Sequence, residues 1–157
     1  MDKAAIYIET SLVSYLVARP SRDIVVAAHQ QLTSDWWNNQ SHHYDLFISQ
    51  IVLDEARAGD KLEAAKRLAA IQDLPVLEVN EEVIRLAGNL VQSNAVPKKA
   101  AQDALHIAIA CVNGMDYLLT WNCKHIANAK LRSKIDKVCL DAGYVPTTIC
   151  TPEELED

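Results

Sequence analysis

Short apolar segments alternate with longer amphipathic segments along this chain. Segments rich in β-branched and aromatic residues, bounded by polar or turn-forming residues, predict strands at residues 4–8, 44–49, 74–79, 116–120 and 147–150. Segments whose apolar residues recur every three or four positions predict helices at residues 12–17, 23–38, 50–58, 61–71, 80–94, 98–112 and 127–142. Glu9, Thr10 and Ser11 form a predicted turn between the first strand and the first helix.

Strands that alternate with helices are typical of a mostly parallel sheet covered on both faces, and not of a helical bundle or an antiparallel sandwich. We therefore predict an α/β fold of three layers, α/β/α, with a central sheet of four or five strands. The chain has 157 residues, of which 50% are hydrophobic, and this is enough for one core. We predict a single domain over residues 1–150, followed by a frayed acidic tail over residues 151–157.

The apolar segments are far shorter than the roughly 20 residues that cross a bilayer, so no membrane segment is expected. The N-terminal residues also lack the hydrophobic stretch of a signal peptide, which predicts a cytoplasmic location. The four cysteines contain no Cys-x-x-Cys pair and are interpreted as small buried residues. A zinc site at Cys123 and His125 is the alternative, but no second close-spaced pair completes it.

The formal net charge of −6 argues against a protein that holds nucleic acid by bulk charge alone. It is compatible with a site that gathers carboxylates around a divalent cation, because the bound metal restores positive charge where a phosphate must sit. Clustered carboxylates repel one another, and a hard cation with oxygen ligands relieves that repulsion. Such a cation activates water and stabilises charge on phosphate oxygens, which is the chemistry of phosphodiester hydrolysis.

Acidic and polar residues follow the predicted strands, at the edge where α/β sheets bind ligands. Glu9 follows the first strand and Asn122 follows a later one, whereas Glu55 and Asp103 lie on predicted helices. The helix that carries Asp103 is apolar nearly all round, so this carboxylate is expected to be buried and either protonated, paired with a cation or bound to a metal. His106 lies one turn after Asp103 on the same face, either at the pocket edge or as a hydrogen-bonded core residue.

Four sequence motifs carry a resemblance to a known family. They are Ile-Tyr-Ile-Glu-Thr-Ser-Leu-Val-Ser-Tyr-Leu from residue 6, Ser-Gln-Ile-Val-Leu-Asp-Glu-Ala from residue 49, Gln-Asp-Ala-Leu-His-Ile-Ala-Ile-Ala from residue 102 and Leu-Leu-Thr-Trp-Asn from residue 118. In this order, around an α/β pattern, they resemble the PIN domain, and within it the toxin nucleases of the virulence-associated-protein C (VapC) type. The resemblance covers almost the whole chain.

The resemblance implies a ribonuclease that depends on Mg²⁺ or Mn²⁺ and acts as the toxin of a type II toxin–antitoxin pair. It implies an RNA substrate, an antitoxin partner and a homodimer. By motif position it implies four catalytic residues, of which the first three are metal ligands: Glu9, Glu55, Asp103 and Asn122. The supporting residues are Thr10, Ser11, His106 and Thr120.

This chain departs from the family pattern at two positions of the implied site. The family usually has Asp where this chain has Glu9, and often has Asp where this chain has the neutral Asn122. Because Mg²⁺ requires tight octahedral geometry, the extra methylene of Glu9 predicts a shifted ion or a changed metal preference. A catalytically weak PIN-like module that binds RNA or a protein partner is therefore the alternative function. A phospho-acceptor domain, with Lys124 after a later strand, is a third hypothesis, but it requires Asp at the position of Glu9.

Several candidate residues also have simpler interpretations. Glu9 is placed to cap the following helix, and Glu55 to lie on a solvated helix face. The pair Trp36 and Trp37 indicates packing at a helix end or, alternatively, stacking on single-stranded RNA. Asp116 begins its strand and is interpreted as structural. Other polar residues are interpreted as surface groups or, for the basic ones, as phosphate contacts: His42, His43, Arg22, Arg57, Lys98 and Lys99.

Overall fold

The computed structural model describes residues 2–156. Met1 and Asp157, the outer ends of the predicted domain and tail, lie outside the described residues. The strands are β1 (Ala5–Ile8), β2 (Asp45–Ser49), β3 (Val76–Leu77), β4 (Tyr117–Leu119) and β5 (Thr148–Cys150). The α-helices are α1 (Thr10–Val17), α2 (Ile24–Asn39), α3 (Gln50–Ala56), α4 (Lys61–Ile71), α5 (Glu81–Gln92), α6 (Ala101–Val112) and α7 (Ala129–Asp141). Short 3₁₀ helices occupy Ser41–His43, Lys98–Ala100 and Pro152–Leu155.

The five strands form one parallel sheet in the order β3-β2-β1-β4-β5. Strand β1 lies at its centre, where Ile6 is paired with Leu46 on one side and with Tyr117 on the other. Helix α1 packs against α2, α3 and α4, whereas α5 packs against α6 and α7, so the helices form two separate groups. The predicted α/β fold, with a central parallel sheet between helices, is confirmed.

The core is built on the two central strands of the sheet. Ile6, Tyr7 and Ile8 of β1 and Leu118 and Leu119 of β4 have no exposed surface. Continuous apolar runs of this kind are expected where helices cover both faces of a parallel sheet, since neither face then meets water. Each such side chain contributes roughly 1.5–3 kcal/mol by its burial. The core therefore holds the carboxyl ends of β1 and β4 in fixed positions.

Several element boundaries differ from the predicted ones. Helix α1 begins at Thr10, where a turn was predicted, because the Glu9 side chain accepts a hydrogen bond from the backbone N–H of Ser11 and caps the helix. Strand β3 is limited to two of the six predicted residues. It lies at the edge of the sheet with β2 as its partner, and Val76 is 47% exposed. The predicted helix at residues 98–112 is divided into a 3₁₀ turn and α6.

The prediction of a frayed tail is wrong over Pro152–Leu155. The Thr151 backbone N–H donates to the Glu154 carboxylate at 2.8 Å, and the Thr151 side chain accepts from the Glu154 backbone N–H. These two reciprocal hydrogen bonds form a capping box. Pro152 is buried. This cap orders the segment that follows β5. Among residues 2–156, none of the helices combines the length and the apolar composition that a membrane span requires.

Candidate metal centre

Side chains from β1, α3 and α6 converge beyond the carboxyl ends of the central strands. Glu9 directly follows β1, and Glu55 lies in α3, which begins at the residue after β2. His106 lies in α6, on a fully buried part of the helix. One ligand atom from each of these three residues lies within 4.8 Å of the other two. Elements that are distant in sequence thus place two carboxylates and an imidazole in one small volume.

The Glu9 carboxylate is held by hydroxyl groups from two elements. It is only 5% exposed. Its Oε1 accepts hydrogen bonds from Ser11 Oγ and Thr120 Oγ1, both at 2.5 Å, and its Oε2 accepts from the Ser11 backbone N–H at 3.1 Å. Because a carboxylate has about four acceptor positions, three donors leave one position, on Oε2. This position is available to a cation.

The two hydroxyls that hold Glu9 are themselves fixed by the segment after β4. Ser11 Oγ accepts a hydrogen bond from the Trp121 backbone N–H at 2.8 Å. Thr120 Oγ1 accepts from the Asn122 backbone N–H at 2.9 Å. The Trp121 indole is buried and donates to Thr33 Oγ1 at 2.7 Å. The position of Glu9 is therefore determined by β4 and α2 as well as by its own helix.

The Glu55 carboxylate is oriented through a single oxygen. Its Oε1 accepts hydrogen bonds from Thr10 Oγ1 at 2.6 Å and from His106 Nε2 at 2.7 Å. Its Oε2 accepts no hydrogen bond from residues 2–156. Burial alone would raise the pKa of Glu55, but its contact with His106, and to a smaller extent the hydrogen bond from the Thr10 hydroxyl, outweigh burial and lower it. Glu55 is therefore an ionised carboxylate with one unused oxygen.

Asp103 is half-buried in the first turn of α6, close enough to Glu9 to interact with its charge. Burial raises the pKa of Asp103, the side chain of Asn122 opposes this effect, and the negative charge of Glu9 raises the pKa further. The side-chain oxygen of Asn122 in turn accepts a hydrogen bond from the His125 backbone N–H at 3.1 Å. Asp103 does not belong to the group of ligand atoms that lie within 4.8 Å of one another, so its predicted role as a metal ligand stays a prediction.

The residues of this site fit a hard divalent cation. Glu9, Glu55 and Asp103 offer carboxylate oxygens, which Mg²⁺ and Mn²⁺ prefer. His106 belongs to the same cluster by distance, but its Nε2 is already bonded to Glu55. The four supporting residues expected from the motifs all contact the two glutamates. Thr10 and His106 contact Glu55, whereas Ser11 and Thr120 contact Glu9. The assignment of metal ligands stays a prediction.

Sequence reasoning missed two buried hydroxyls behind the site. Tyr7 OH lies 2.7 Å from His106 Nδ1 and 2.8 Å from Ser49 Oγ. The hydroxyls of Tyr7 and Ser49 each lie next to apolar residues of a predicted strand, and this was the available signal. The interpretation of His106 as a hydrogen-bonded core residue agrees with its complete burial.

The structure also decides among several simpler interpretations. Trp36 has no exposed surface, so the hypothesis that it stacks on RNA is wrong. The Asp116 carboxylate accepts a hydrogen bond from the Ala5 backbone N–H at 2.8 Å, which agrees with a structural role. Arg57 pairs with Asp54 at 3.5 Å on the exposed surface of α3. Phosphate contacts by basic residues stay a prediction.

Comparison with known proteins identifies the fold through structure and not through sequence. No protein-family model and no curated protein sequence matches the chain. One similar structure is VapBC2 from Rickettsia felis bound to a DNA fragment from their promoter, with a TM-score of 0.60 and 15% identity over 94% of this chain and 98% of that chain. Another is VapC20 from Mycobacterium tuberculosis, a Sarcin-Ricin loop cleaving toxin, with a TM-score of 0.56 and 16% identity over 89% of this chain and 96% of that chain.

The chain has the VapC fold. The near-complete coverage of both VapC-type chains means that the similarity extends through the helices as well as the central sheet. It agrees with the PIN-like fold that the four motifs predict. Such low identities concern the backbone fold alone, so the chemistry of this chain has to be argued from its own residues.

Proposed function

We propose that this protein is a metal-dependent endoribonuclease that hydrolyses RNA phosphodiester bonds and acts as the toxin of a type II toxin–antitoxin pair. The observation that carries the proposal is the convergence of the Glu9 and Glu55 carboxylates, with His106, beyond the carboxyl ends of parallel strands. Asp103 lies close enough to Glu9 for their charges to interact. The VapC fold supports it, since VapC20 is a Sarcin-Ricin loop cleaving toxin.

In this proposal the three carboxylates hold Mg²⁺ or Mn²⁺. When bound, the ion supplies an activated water and a positive charge beside the scissile phosphate. Ser11 and Thr120 keep the Glu9 carboxylate in place, and Thr10 and His106 do the same for Glu55. Such fixed donors reduce the reorganisation that the carboxylates need when the ion and substrate bind. Asn122 places a neutral side chain next to Asp103, where a fourth carboxylate would add to the repulsion of the phosphate.

The proposal includes a protein partner and a cellular location. We propose that an antitoxin binds the protein and suppresses its activity, that two copies form a homodimer, and that the protein acts in the cytoplasm on single-stranded RNA. The fold shared with a chain of the VapBC2 structure supports the antitoxin partner. Co-purification of the protein with the product of a neighbouring gene, followed by light scattering, tests the first two points.

Cleavage of single-stranded RNA with Mg²⁺, with Mn²⁺ and with excess chelator tests the enzymatic activity. We expect cleavage with either metal and none in chelator. Asp103→Asn should keep the fold but lower the cleavage rate by at least about 100-fold, because it removes one carboxylate ligand. Asp54→Asn is the matched control, since Asp54 lies beside Glu55 in sequence but on the exposed face of α3. Cleavage that persists in chelator would show that the acidic site is not the catalyst.

A catalytically weak PIN-like module that binds RNA or a protein partner is the second candidate function. Glu9 and Asn122, at positions where the family usually or often has Asp, are the observations that favour it. The same assay separates the two candidates. Binding of Mn²⁺ and RNA without any cleavage by the wild-type protein would support the second candidate and contradict the first.

A further inference from the structure

We propose that Tyr7 fixes the tautomer of His106 so that the imidazole donates a hydrogen bond to Glu55 through Nε2. In this arrangement Tyr7 and His106 are positioning residues for Glu55, and His106 is not a metal ligand. The inference rests on the proposed function for the role of Glu55 as a ligand. The tautomer itself is a property of the folded chain alone.

Four elements contribute to one buried chain of hydrogen bonds. The Ser49 hydroxyl at the end of β2 lies 2.8 Å from Tyr7 OH in β1, and Tyr7 OH lies 2.7 Å from His106 Nδ1 in α6. His106 Nε2 lies 2.7 Å from Glu55 Oε1 in α3. Tyr7, Ser49 and His106 have no exposed surface, whereas the Glu55 side chain is 32% exposed. This chain of hydrogen bonds therefore connects the core of the sheet to the partly exposed carboxylate of Glu55.

The direction of each hydrogen bond follows from the chemistry of its ends. An ionised carboxylate only accepts, so His106 Nε2 carries the hydrogen that is donated to Glu55. In a neutral imidazole the other nitrogen then accepts, and Tyr7 O–H is its donor. The Tyr7 oxygen accepts from the Ser49 hydroxyl, and Ser49 Oγ accepts from the Val52 backbone N–H at 3.3 Å. Every hydrogen atom in this chain of hydrogen bonds therefore has an acceptor.

A His106 ring with hydrogen on both nitrogens would leave a buried hydroxyl without an acceptor. If both nitrogens of His106 carried hydrogen, Tyr7 would accept from Nδ1 and donate to Ser49. The Ser49 hydroxyl would then have no acceptor among residues 2–156. An unpaired buried polar group costs about 1–3 kcal/mol. The hydrogen-bond pattern thus selects the Nε2–H tautomer.

This tautomer separates the role of His106 from that of the carboxylates. A nitrogen that carries hydrogen has no lone pair for a metal, so the distance of His106 from Glu9 and Glu55 does not make it a ligand. Its bond to Oε1 leaves Oε2 of Glu55 for the ion. Without the Tyr7 hydroxyl, Nδ1 loses its donor and the ring loses the contact that holds it opposite Glu55. A ring that rotates away from Glu55 is no longer held in one tautomer, and the Glu55 carboxylate loses its orientation.

Nitrogen-15 NMR of the His106 ring in metal-free protein at pH 7.5 tests the tautomer directly. We expect the wild-type protein to show a single Nε2–H tautomer and Tyr7→Phe to show a mixture. Tyr117→Phe, the same loss of a hydroxyl on the neighbouring strand β4, is the matched control and should resemble the wild type. A wild-type ring protonated at Nδ1, or at both nitrogens, would overturn the inference. So would a Tyr7→Phe spectrum identical to that of the wild type.

Titration with Mn²⁺ alone tests the effect on the site. Tyr7→Phe should weaken Mn²⁺ binding about 10- to 100-fold, as losses of supporting hydrogen bonds do in metal sites, and Tyr117→Phe should leave it unchanged. His106→Gln, whose amide nitrogen can replace Nε2–H, should retain more affinity than His106→Leu. Pulsed EPR of bound Mn²⁺ should show no nitrogen coupling from His106. A nitrogen coupling that disappears in His106→Gln would identify His106 as a ligand and overturn the inference.

These readings are independent of RNA cleavage. If the tautomer and the Mn²⁺ affinities behave as expected but the wild-type protein cleaves no RNA, the proposed function fails and the positioning role stands. If the wild-type protein cleaves RNA and Tyr7→Phe changes neither the tautomer nor the affinity, the positioning role fails and the proposed function stands. Should Tyr7→Phe not fold, the wild-type spectrum and the His106 variants still decide the question.

Discussion

Replacement of Thr120 by Val should destabilise the metal-free protein. Valine has nearly the same shape as threonine but replaces the hydroxyl with a methyl group. Thr120 is fully buried, its hydroxyl donates to Glu9 Oε1 at 2.5 Å, and it accepts from the Asn122 backbone N–H at 2.9 Å. The variant therefore removes two hydrogen bonds at the candidate site while the volume of the side chain stays almost constant.

The magnitude follows from the two bonds. A hydrogen bond to a charged group contributes about 1.5–3 kcal/mol, and a backbone N–H that loses its partner in a partly buried position costs about 1 kcal/mol. We therefore expect the free energy of unfolding to fall by roughly 2.5–4 kcal/mol. In a domain of this size, 1 kcal/mol corresponds to a shift of about 2–4 °C in the unfolding temperature.

Urea unfolding at pH 7.5 in the presence of chelator measures this loss, because chelator removes any stabilisation by bound metal. Thr147→Val is the matched control. The Thr147 hydroxyl oxygen is buried and has no hydrogen-bond partner among residues 2–156, so its removal should leave the stability unchanged or raise it.

Two results would refute the reasoning. One is a Thr120→Val protein whose free energy of unfolding lies within about 0.5 kcal/mol of the wild type, which is the usual range for surface substitutions. The other is an equal loss in Thr147→Val, which would show that the cost comes from the change of residue type and not from the contacts of Thr120.

Three further predictions concern charge, metal preference and the core. Burial and the charge of Glu9 raise the pKa of Asp103, so ionisation of this carboxylate destabilises the folded metal-free protein as pH rises through that pKa. Asp103→Asn should therefore raise the unfolding temperature in chelator at pH 7.5. A lower unfolding temperature would contradict this prediction. Glu9→Asp should change the ratio of cleavage rates with Mg²⁺ and Mn²⁺, and an unchanged ratio would show that the extra methylene does not affect the ion. Leu118→Ala should lower the free energy of unfolding by about 2–5 kcal/mol in urea titrations, because Leu118 is fully buried. Leu140→Ala, at a position 60% exposed, should stay close to the wild type. Equal losses in the two variants would contradict burial as the cause.

The sequence by itself determined the class of fold and most of its elements. The apolar run at residues 6–8 and the run in β4 indicate strands buried on both faces, and the alternation with helices favours a mostly parallel sheet. In the structure, the side-chain oxygens of Asp23 and Asn80 cap α2 and α5, close to the predicted starts of these helices. These features are local, because periodicity and caps depend on residues within a few positions of one another.

The motifs also indicated which residues belong to the candidate site, but not how they are held. Glu9, Glu55 and Asp103 were expected from the family pattern, and the hydrogen bonds of Ser11 and Thr120 to Glu9 appeared only in the structure. The role of these carboxylates as metal ligands stays a prediction that metal titration has to test.

Only the tertiary structure decided the order of the strands, the shortness of β3, the ordered turn after β5 and the contacts behind Glu55. The turn after β5 was predicted to be frayed because its cap depends on side-chain geometry that composition does not show. Tyr7 is 42 positions from Ser49 and 99 positions from His106 along the chain, and their hydroxyl and imidazole meet because β1, β2 and α6 pack together. Local patterns specify which face a residue occupies, whereas the partner across that face depends on how whole elements are arranged.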